Sequence, residues 1–241
     1  MATALLACGL GTCFSAVVWG RWLASHRPAF AAWGTGLAIF AAAALTQALG
    51  EAQGFSVPLF RAFYLLGGVL GVIYLALGTV FLMAPLRVGR ICTAVLLALT
   101  ALLAADAAVV PVHPARLHTA AGILGGALAG HGTPLFVAAV SFNIIGTVVL
   151  AGGSAYSAWR FIQSRSGPDR VICNVLLTAG ALIVAFGFSV AKTVGGSMTQ
   201  LGVAESIGIA VMFAGFLSLG RVGVSRTRAT PAPQGASGAS K

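Results

Sequence analysis

The sequence predicts an all-α, polytopic membrane protein with seven transmembrane helices. The first observation is composition: of the 241 residues, 59% are hydrophobic and only 7% are charged. A soluble domain needs far more charge to cover its surface. The second is length: a bilayer core of about 30 Å requires about 20 apolar residues per helix, and runs of this length fill nearly the whole chain. A β-barrel is excluded because its strands are short and alternate in polarity.

The first three helices are predicted at about 2–20, 29–50 and 58–83. Basic residues follow the first apolar run, whereas a cleavable signal peptide has them before it, so this run is interpreted as an uncleaved helix. A short polar connection, 51–57, leads to Pro58, which suits the start of a helix. In the third helix Gly67 and Gly71 have the spacing that allows close helix packing in lipid.

The fourth helix is predicted at about 90–111 and carries Asp106 in its outer third. The glycine-rich stretch that follows, up to Gly132, is too short for a full span and is predicted to be an interfacial or partly re-entrant segment. The remaining helices are predicted at about 134–159, 171–192 and 201–220. The basic tail 221–241 is rich in Pro, Gly and Ser and is predicted to be disordered.

The basic residues set the predicted orientation, because Lys and Arg near short loops stay in the cytoplasm. With the N-terminus outside and the C-terminus in the cytoplasm, 11 of the 14 basic residues lie inside and 3 lie outside. The outer three are Arg61, Arg116 and Lys192. Abundant arginine and alanine fit a GC-rich bacterial genome. The expected location is therefore the bacterial inner (cytoplasmic) membrane.

The two helix triplets on either side of the fourth helix resemble each other. Residues 15–21 resemble 157–160, and Leu75–Gly78 resembles Leu217–Gly220 at an offset of 142. This favours a 3+1+3 parallel repeat in which the fourth helix is the inverting link. Chance similarity between helices rich in alanine and glycine is the alternative.

Polar side chains collect in the outer halves of the predicted helices. Charges at membrane depth are costly unless they pair or face a wet cavity. Three interpretations stay open: an outward-facing cavity for a solute or coupling proton, structural ion pairs such as Lys192 with Glu205, or side chains that snorkel to the headgroups. The candidate substrate-binding or proton-coupling residues are Arg61, Tyr64, Asp106, Asn143, Lys192 and Glu205.

No metal site or cofactor is predicted. The candidate ligands near Asp106 are His113, His118 and His131, but Pro111 and Pro114 interrupt any helix that would align them. No HxxxH or HExxH motif is present, and no two cysteines have a CxxC spacing. Lys192 ends the sixth helix, unlike the retinal lysine of microbial rhodopsins, which lies in the middle of the last helix.

The stretch Phe60–Gly68, together with Leu75–Thr79, resembles a pattern in uncharacterised seven-helix membrane proteins of bacteria. The resemblance covers one helix and implies no known activity. The leading functional hypothesis is a carrier for a small anionic or polar solute or an ion. The alternatives are a non-catalytic sensor, accessory or scaffold protein and, third, an intramembrane enzyme. The expected partner is the lipid bilayer. Nucleic acid is not expected, because the cations form no basic patch, and oligomerisation is left open.

Overall fold

A computed structural model describes residues 1–130, 132–164, 168–193 and 197–227, without the side chains of 192–193 and 219–227. Seven helices are long and apolar enough to cross a membrane. This confirms the all-α class and the predicted number of such helices. The only strand-like pairing among the described residues is an isolated bridge between Val112 and Leu128. The helices are α1 Ala2–Ser25, α2 Pro28–Gln53, α3 Val57–Met83, α4 Leu86–Val109, α5 Pro134–Gln163, α6 Pro168–Thr193 and α7 Met198–Thr227.

Local sequence explains several helix ends. Helix α1 stops before His26, which adopts a left-handed conformation with φ 52°. Helix α3 begins after Ser56, whose side chain accepts a hydrogen bond from the Leu59 amide, and α5 begins in the same way after Thr133. A side-chain oxygen at this position satisfies a backbone N–H that has no partner within the helix.

Several predicted boundaries differ from the structure by three or more residues, and two of these differences move a polar or basic segment into a helix. Helix α2 continues to Gln53, so Glu51 lies in its last turn and not in the connection, because only Gly54, at φ 83°, breaks the helix. Helix α7 continues to Thr227, past the predicted start of the disordered tail. No proline precedes Pro231 there to stop the helix. Residues 228–241 of the predicted tail lie outside the described residues.

Six of the seven helices form a closed cycle of neighbours, which we call the six-helix ring. Each helix packs on the next in the order α1, α2, α3, α5, α6 and α7, and α7 returns to α1. Helix α4 lies outside this ring, against α3 and α5. It leaves large apolar side chains such as Leu102 and Val109 exposed, at 66% and 74%. In a membrane these side chains would face lipid.

The ends of the helices meet in two groups. We call the end that contains Met1, Gln53, Val110, Pro134 and Met198 the Met1 end of the ring. Hydrogen bonds between the helices hold this end together, and the buried side chain of Gln47 makes two of the bonds found there. Its Nε2 donates to the Met198 carbonyl at 3.1 Å and to Glu51 Oε1 at 2.8 Å, which ties α2 to the start of α7. The only ion pair within the described part of the chain also lies here, between the Met1 α-amino group and Glu51.

Glycines allow the closest approach of helices in the ring. A Cβ placed on Gly180 of α6 would lie 2.5 Å from the Gly208 carbonyl oxygen of α7, and one on Gly36 would lie 2.8 Å from the Leu75 amide nitrogen. The predicted packing glycines are less crowded. A Cβ on Gly67 would lie 3.1 Å from the Ala43 Cβ, and one on Gly71 would meet only its own helix.

Replacing Gly180 by alanine is therefore expected to destabilise the protein. The added methyl must push two backbones apart, and overpacking of this kind costs about 1–3 kcal/mol. Thermal unfolding in detergent measures the effect. Gly20→Ala is the control, because nothing lies within 4 Å of a Cβ there. The control should keep or slightly raise stability, and equal losses in the two variants would contradict the close approach of α6 and α7.

Candidate functional site

Arg61 of α3 binds the end of α4. Its Nη1 donates to the Ala108 carbonyl at 2.6 Å and its Nη2 donates to the Val110 carbonyl at 2.8 Å. The last carbonyls of a helix have no partner within the helix and carry partial negative charge, so a guanidinium there is favourable. Arg61 thus holds the peripheral helix α4 on the ring.

Asp106 of α4 binds the start of α5 and accepts a hydrogen bond there, whereas Arg61 donates hydrogen bonds to the end of a helix. Its Oδ2 accepts a hydrogen bond from the Leu135 amide at 3.0 Å. A carboxylate next to the first amides of a helix is favourable for the same dipolar reason. Although Arg61 and Asp106 lie at the same end of the bundle, no ion pair joins them. Neither residue lines the central cavity described below.

A cavity of about 70 Å³ lies inside the six-helix ring, between α2, α3, α5, α6 and α7. This volume has room for several water molecules, since one needs about 10–15 Å³. The cavity wall is mainly apolar. Its polar side chains are Asn143, Thr147 and Glu205.

Glu205 is the acidic residue of this cavity. It lies about 10 Å from the start of α7, at about 1.5 Å of rise per residue. Its Oε2 atom is buried and has no hydrogen-bond partner among the described residues. A carboxyl group at this depth is costly unless it gains a partner. The structure thus brings together Asn143 and Glu205, two of the six residues predicted for a site.

Asn143 joins the cavity to an irregular part of α3. The segment Tyr64–Leu70 is a π-helix, a widened turn that is common at functional sites. The Asn143 Nδ2 donates to the Gly68 carbonyl at 2.6 Å and to the Ala139 carbonyl at 2.8 Å. Both hydrogens of the amide nitrogen are thereby used. The Oδ1 oxygen is left as an acceptor on a side chain that lines the cavity.

A second π-helical segment, Val148–Gly152, lies in α5. The Thr178 hydroxyl of α6 donates to the Asn174 carbonyl of its own helix at 2.9 Å and shares this hydrogen with the Ala151 carbonyl of the segment at 3.4 Å. Each of the two π segments therefore receives a side-chain donor from the neighbouring helix. Leu150, within the second segment, lines the cavity.

The cavity ends towards the opposite end of the bundle at three apolar side chains, Leu75, Leu150 and Met212. Beyond them lies a smaller apolar void of about 30 Å³, which the same three residues also line. All six helices of the ring contribute to this second void. The two voids lie one after the other inside the ring, and the three side chains separate them.

The glycine-rich segment between α4 and α5 covers the Met1 end of the ring. Its side chains Ile123 and Leu124 pack with Phe63, Ala191 and Leu201 in one buried cluster. Leu201 also lines the central cavity, so the cluster adjoins it. The sequence predicted an outer interfacial or re-entrant segment here, and the structure shows a segment folded over the bundle. Its depth relative to a bilayer stays a prediction.

Tyr64 supports this segment and does not line the cavity. Its ring packs on Phe60 with 5.6 Å between the centroids. Gly125 of the covering segment has φ 121°, and a Cβ placed on it would lie 3.1 Å from the Tyr64 hydroxyl oxygen. The positive φ and the close contact together explain why glycine occupies this position.

The remaining candidates from the sequence are not brought together. The Lys192 side chain and His131 lie outside the described residues, so the predicted Lys192–Glu205 pair stays a prediction. The His113 amide donates to the Ala127 carbonyl at 2.7 Å, which positions the covering segment. Within the part of the chain that the structure describes, no three His, Cys, Asp or Glu residues group together as metal ligands.

Sequence reasoning missed most of the cavity wall. Phe40, Phe188 and the three separating side chains carry no signal in the sequence, because residues of the same types also face outward on these helices. Thr147 was the detectable case, since it lies one helical turn after Asn143. A comparison with protein-family models, curated proteins and solved structures finds no match to this chain.

Proposed function

We propose that this protein is a membrane carrier that binds a small solute in the central cavity of its six-helix ring. The observation that supports this proposal best is the position of Glu205, which lines the cavity and whose buried Oε2 atom has no hydrogen-bond partner among the described residues. A polar group in this setting is costly to keep. A solute or a proton bound there would offset that cost, as in carriers whose sites lie inside the helix bundle.

The order of the helices supports the 3+1+3 repeat as part of this proposal. If α1, α2 and α3 correspond to α5, α6 and α7, every neighbouring pair in the ring has an equivalent pair. The contact of α3 with α5 then corresponds to the contact of α7 with α1. Two equivalent halves that rock against each other about a central site are a common basis for alternating access.

The separating side chains give this proposal a second support. Leu75 belongs to one triplet, whereas Leu150 and Met212 belong to the other. A relative movement of the triplets would therefore open the barrier between the two voids. With the predicted orientation in a bacterial cytoplasmic membrane, the Met1 end and the Glu205 cavity lie towards the outside.

A cysteine in place of Thr147 tests the proposed carrier without knowledge of its solute. The variant is made in a chain whose four cysteines are replaced by alanine. We expect a membrane-impermeant cationic methanethiosulfonate to modify Cys at this position from either side of the membrane, in right-side-out and in inverted vesicles. The extent of modification is read by mass spectrometry.

The matched control is Val148→Cys, at the next residue. Val148 is 66% exposed on the outside of the bundle. The thiol introduced by Val148→Cys should face lipid and stay unmodified from both sides. If the reagent modifies neither cysteine from either side, the carrier proposal is contradicted. If it modifies position 147 from one side alone, the protein is a binding protein that opens to one side only.

The scaffold hypothesis has support at two other positions. Arg61 and Asp106 each bind backbone groups of a neighbouring helix. These contacts favour a role in holding the bundle together. The proposed solute site accordingly consists of Asn143, Thr147 and Glu205, and it no longer includes Arg61 as a partner for an anion.

A further inference from the structure

We infer that the ligand of this cavity is a small protonated amine with an apolar body, and that it exchanges with a proton on Glu205. The inference rests on the proposed binding site and names its ligand class. The cavity is the feature of the described molecule that combines an unpartnered carboxyl oxygen with enclosed space. Its polar groups then decide which ligand chemistry can bind.

The polar groups of the cavity are mainly hydrogen-bond acceptors. Glu205 lines the cavity, and its Oε2 has no hydrogen-bond partner among the described residues. Asn143 offers only Oδ1, because both hydrogens of its Nδ2 bind backbone carbonyls. The Thr147 hydroxyl can act in either direction. Arg61, which could have met an anion, is bound to α4 carbonyls. A ligand with several N–H donors therefore fits this wall, whereas a carboxylate or phosphate would meet no cationic side chain among the described residues that line it.

The apolar part of the cavity wall favours an apolar body on the ligand. Phe40 and Phe188 line the cavity with Val72, Leu150 and Val184. An alkyl body packed there leaves water, which is favourable in proportion to the apolar area buried. The aromatic rings also suit a cation, because the face of the ring carries negative charge. A compact alkylammonium meets both requirements.

The exchange keeps the charge of the site constant. Before binding, Glu205 carries its proton and is neutral, which avoids an isolated carboxylate at membrane depth. On binding, the O–H bond breaks, the electron pair stays on the carboxylate oxygen, and the proton passes to water. The ammonium group then forms charge-assisted hydrogen bonds with the carboxylate. One cation enters for each proton released, and no redox partner is needed.

Calorimetry of the full-length protein in detergent tests this inference with three probes of similar size: n-butylammonium, 1-pentanol and pentanoate. We expect n-butylammonium to bind at least tenfold more tightly than the other two. The heat of binding should differ between phosphate and Tris buffers, because about one proton is released to the buffer for each cation bound. Glu205→Gln should weaken binding at least tenfold and remove this difference.

Asp106→Asn is the matched control. It also changes a carboxyl to an amide, but outside the cavity, and its oxygen can still accept from the Leu135 amide. It should bind n-butylammonium as the unchanged protein does. If Glu205→Gln fails to fold, Thr147→Val serves instead and should weaken the amine severalfold. Equal binding of the three probes, preference for pentanoate, no binding of any probe, or an equal loss in Asp106→Asn would overturn the inference.

The two experiments separate this inference from the carrier proposal. If position 147 is reached from both sides but n-butylammonium does not bind, the carrier stands and its ligand is of another class. If the amine binds but position 147 is reached from one side only, the ligand class stands and the protein is a receptor.

Discussion

Replacing Glu205 by leucine should make the protein more stable and abolish binding of n-butylammonium. The Oε2 atom is buried without a partner among the described residues, and a group in this state costs about 1–3 kcal/mol. Leucine has a similar volume and fits the surrounding apolar wall of Phe40, Phe188 and Met212. We expect the free energy of unfolding to rise by about 1–2 kcal/mol. Thermal unfolding in detergent and calorimetry measure the two effects.

Glu51→Leu is the control for this prediction. Glu51 accepts a hydrogen bond from the buried Gln47 side chain and pairs with the Met1 α-amino group. Its replacement should lower stability, because it leaves Gln47 with one fewer partner. A loss of stability in Glu205→Leu as large as that in the control would show that Glu205 is structural. The predicted ion pair with Lys192 would then be the better explanation.

Replacing Arg61 by methionine should destabilise the protein strongly. The guanidinium forms two hydrogen bonds with the last carbonyls of α4, and the side chain is partly buried. Hydrogen bonds to charged groups contribute about 1.5–3 kcal/mol each, and methionine keeps most of the apolar stem. We expect a loss of about 3 kcal/mol in the free energy of unfolding. Thermal unfolding of the purified variant in detergent measures it.

Arg116→Met is the matched control for the loss of an arginine at the same end. Arg116 is exposed, and among the described residues its side chain donates one hydrogen bond, to the Gly126 carbonyl at 3.0 Å. We expect its loss to cost less than about 1 kcal/mol, as is usual for exposed polar contacts. Equal losses of stability in the two variants would contradict the capping role of Arg61. The same holds if Arg61→Met keeps normal stability but loses the ability to bind an anion.

The opposite signs of these two effects distinguish a functional polar residue from a structural one. Proteins commonly keep a destabilising group where function requires it, so its removal raises stability and abolishes activity. A residue that holds helices together has the reverse signature. Glu205 and Arg61 are both ionisable residues within long apolar helices, and the sequence analysis placed them in the same candidate site. Their contacts indicate that Arg61 is structural, whereas Glu205 is the functional candidate.

The sequence alone determined the all-α class and the number of helices long and apolar enough to span a membrane. Helices and closed barrels both satisfy the backbone in lipid, and the apolar runs of this chain are too long and continuous for barrel strands. Pro58 and Pro134 marked the starts of helices to within one residue. These features are local, because they depend on hydropathy and on residues within one helical turn.

Only the tertiary structure decided which residues face the cavity and where the polar side chains go. In a membrane helix the side facing lipid is as apolar as the side facing the bundle, so hydropathy does not show which face lies inside. Leu150 therefore looks no different in sequence from its exposed neighbour Val148. The partners of Arg61 and Asp106 are backbone groups 47 and 29 residues away. Contacts of that kind depend on how the helices pack, and packing joins parts of the chain that no local pattern connects.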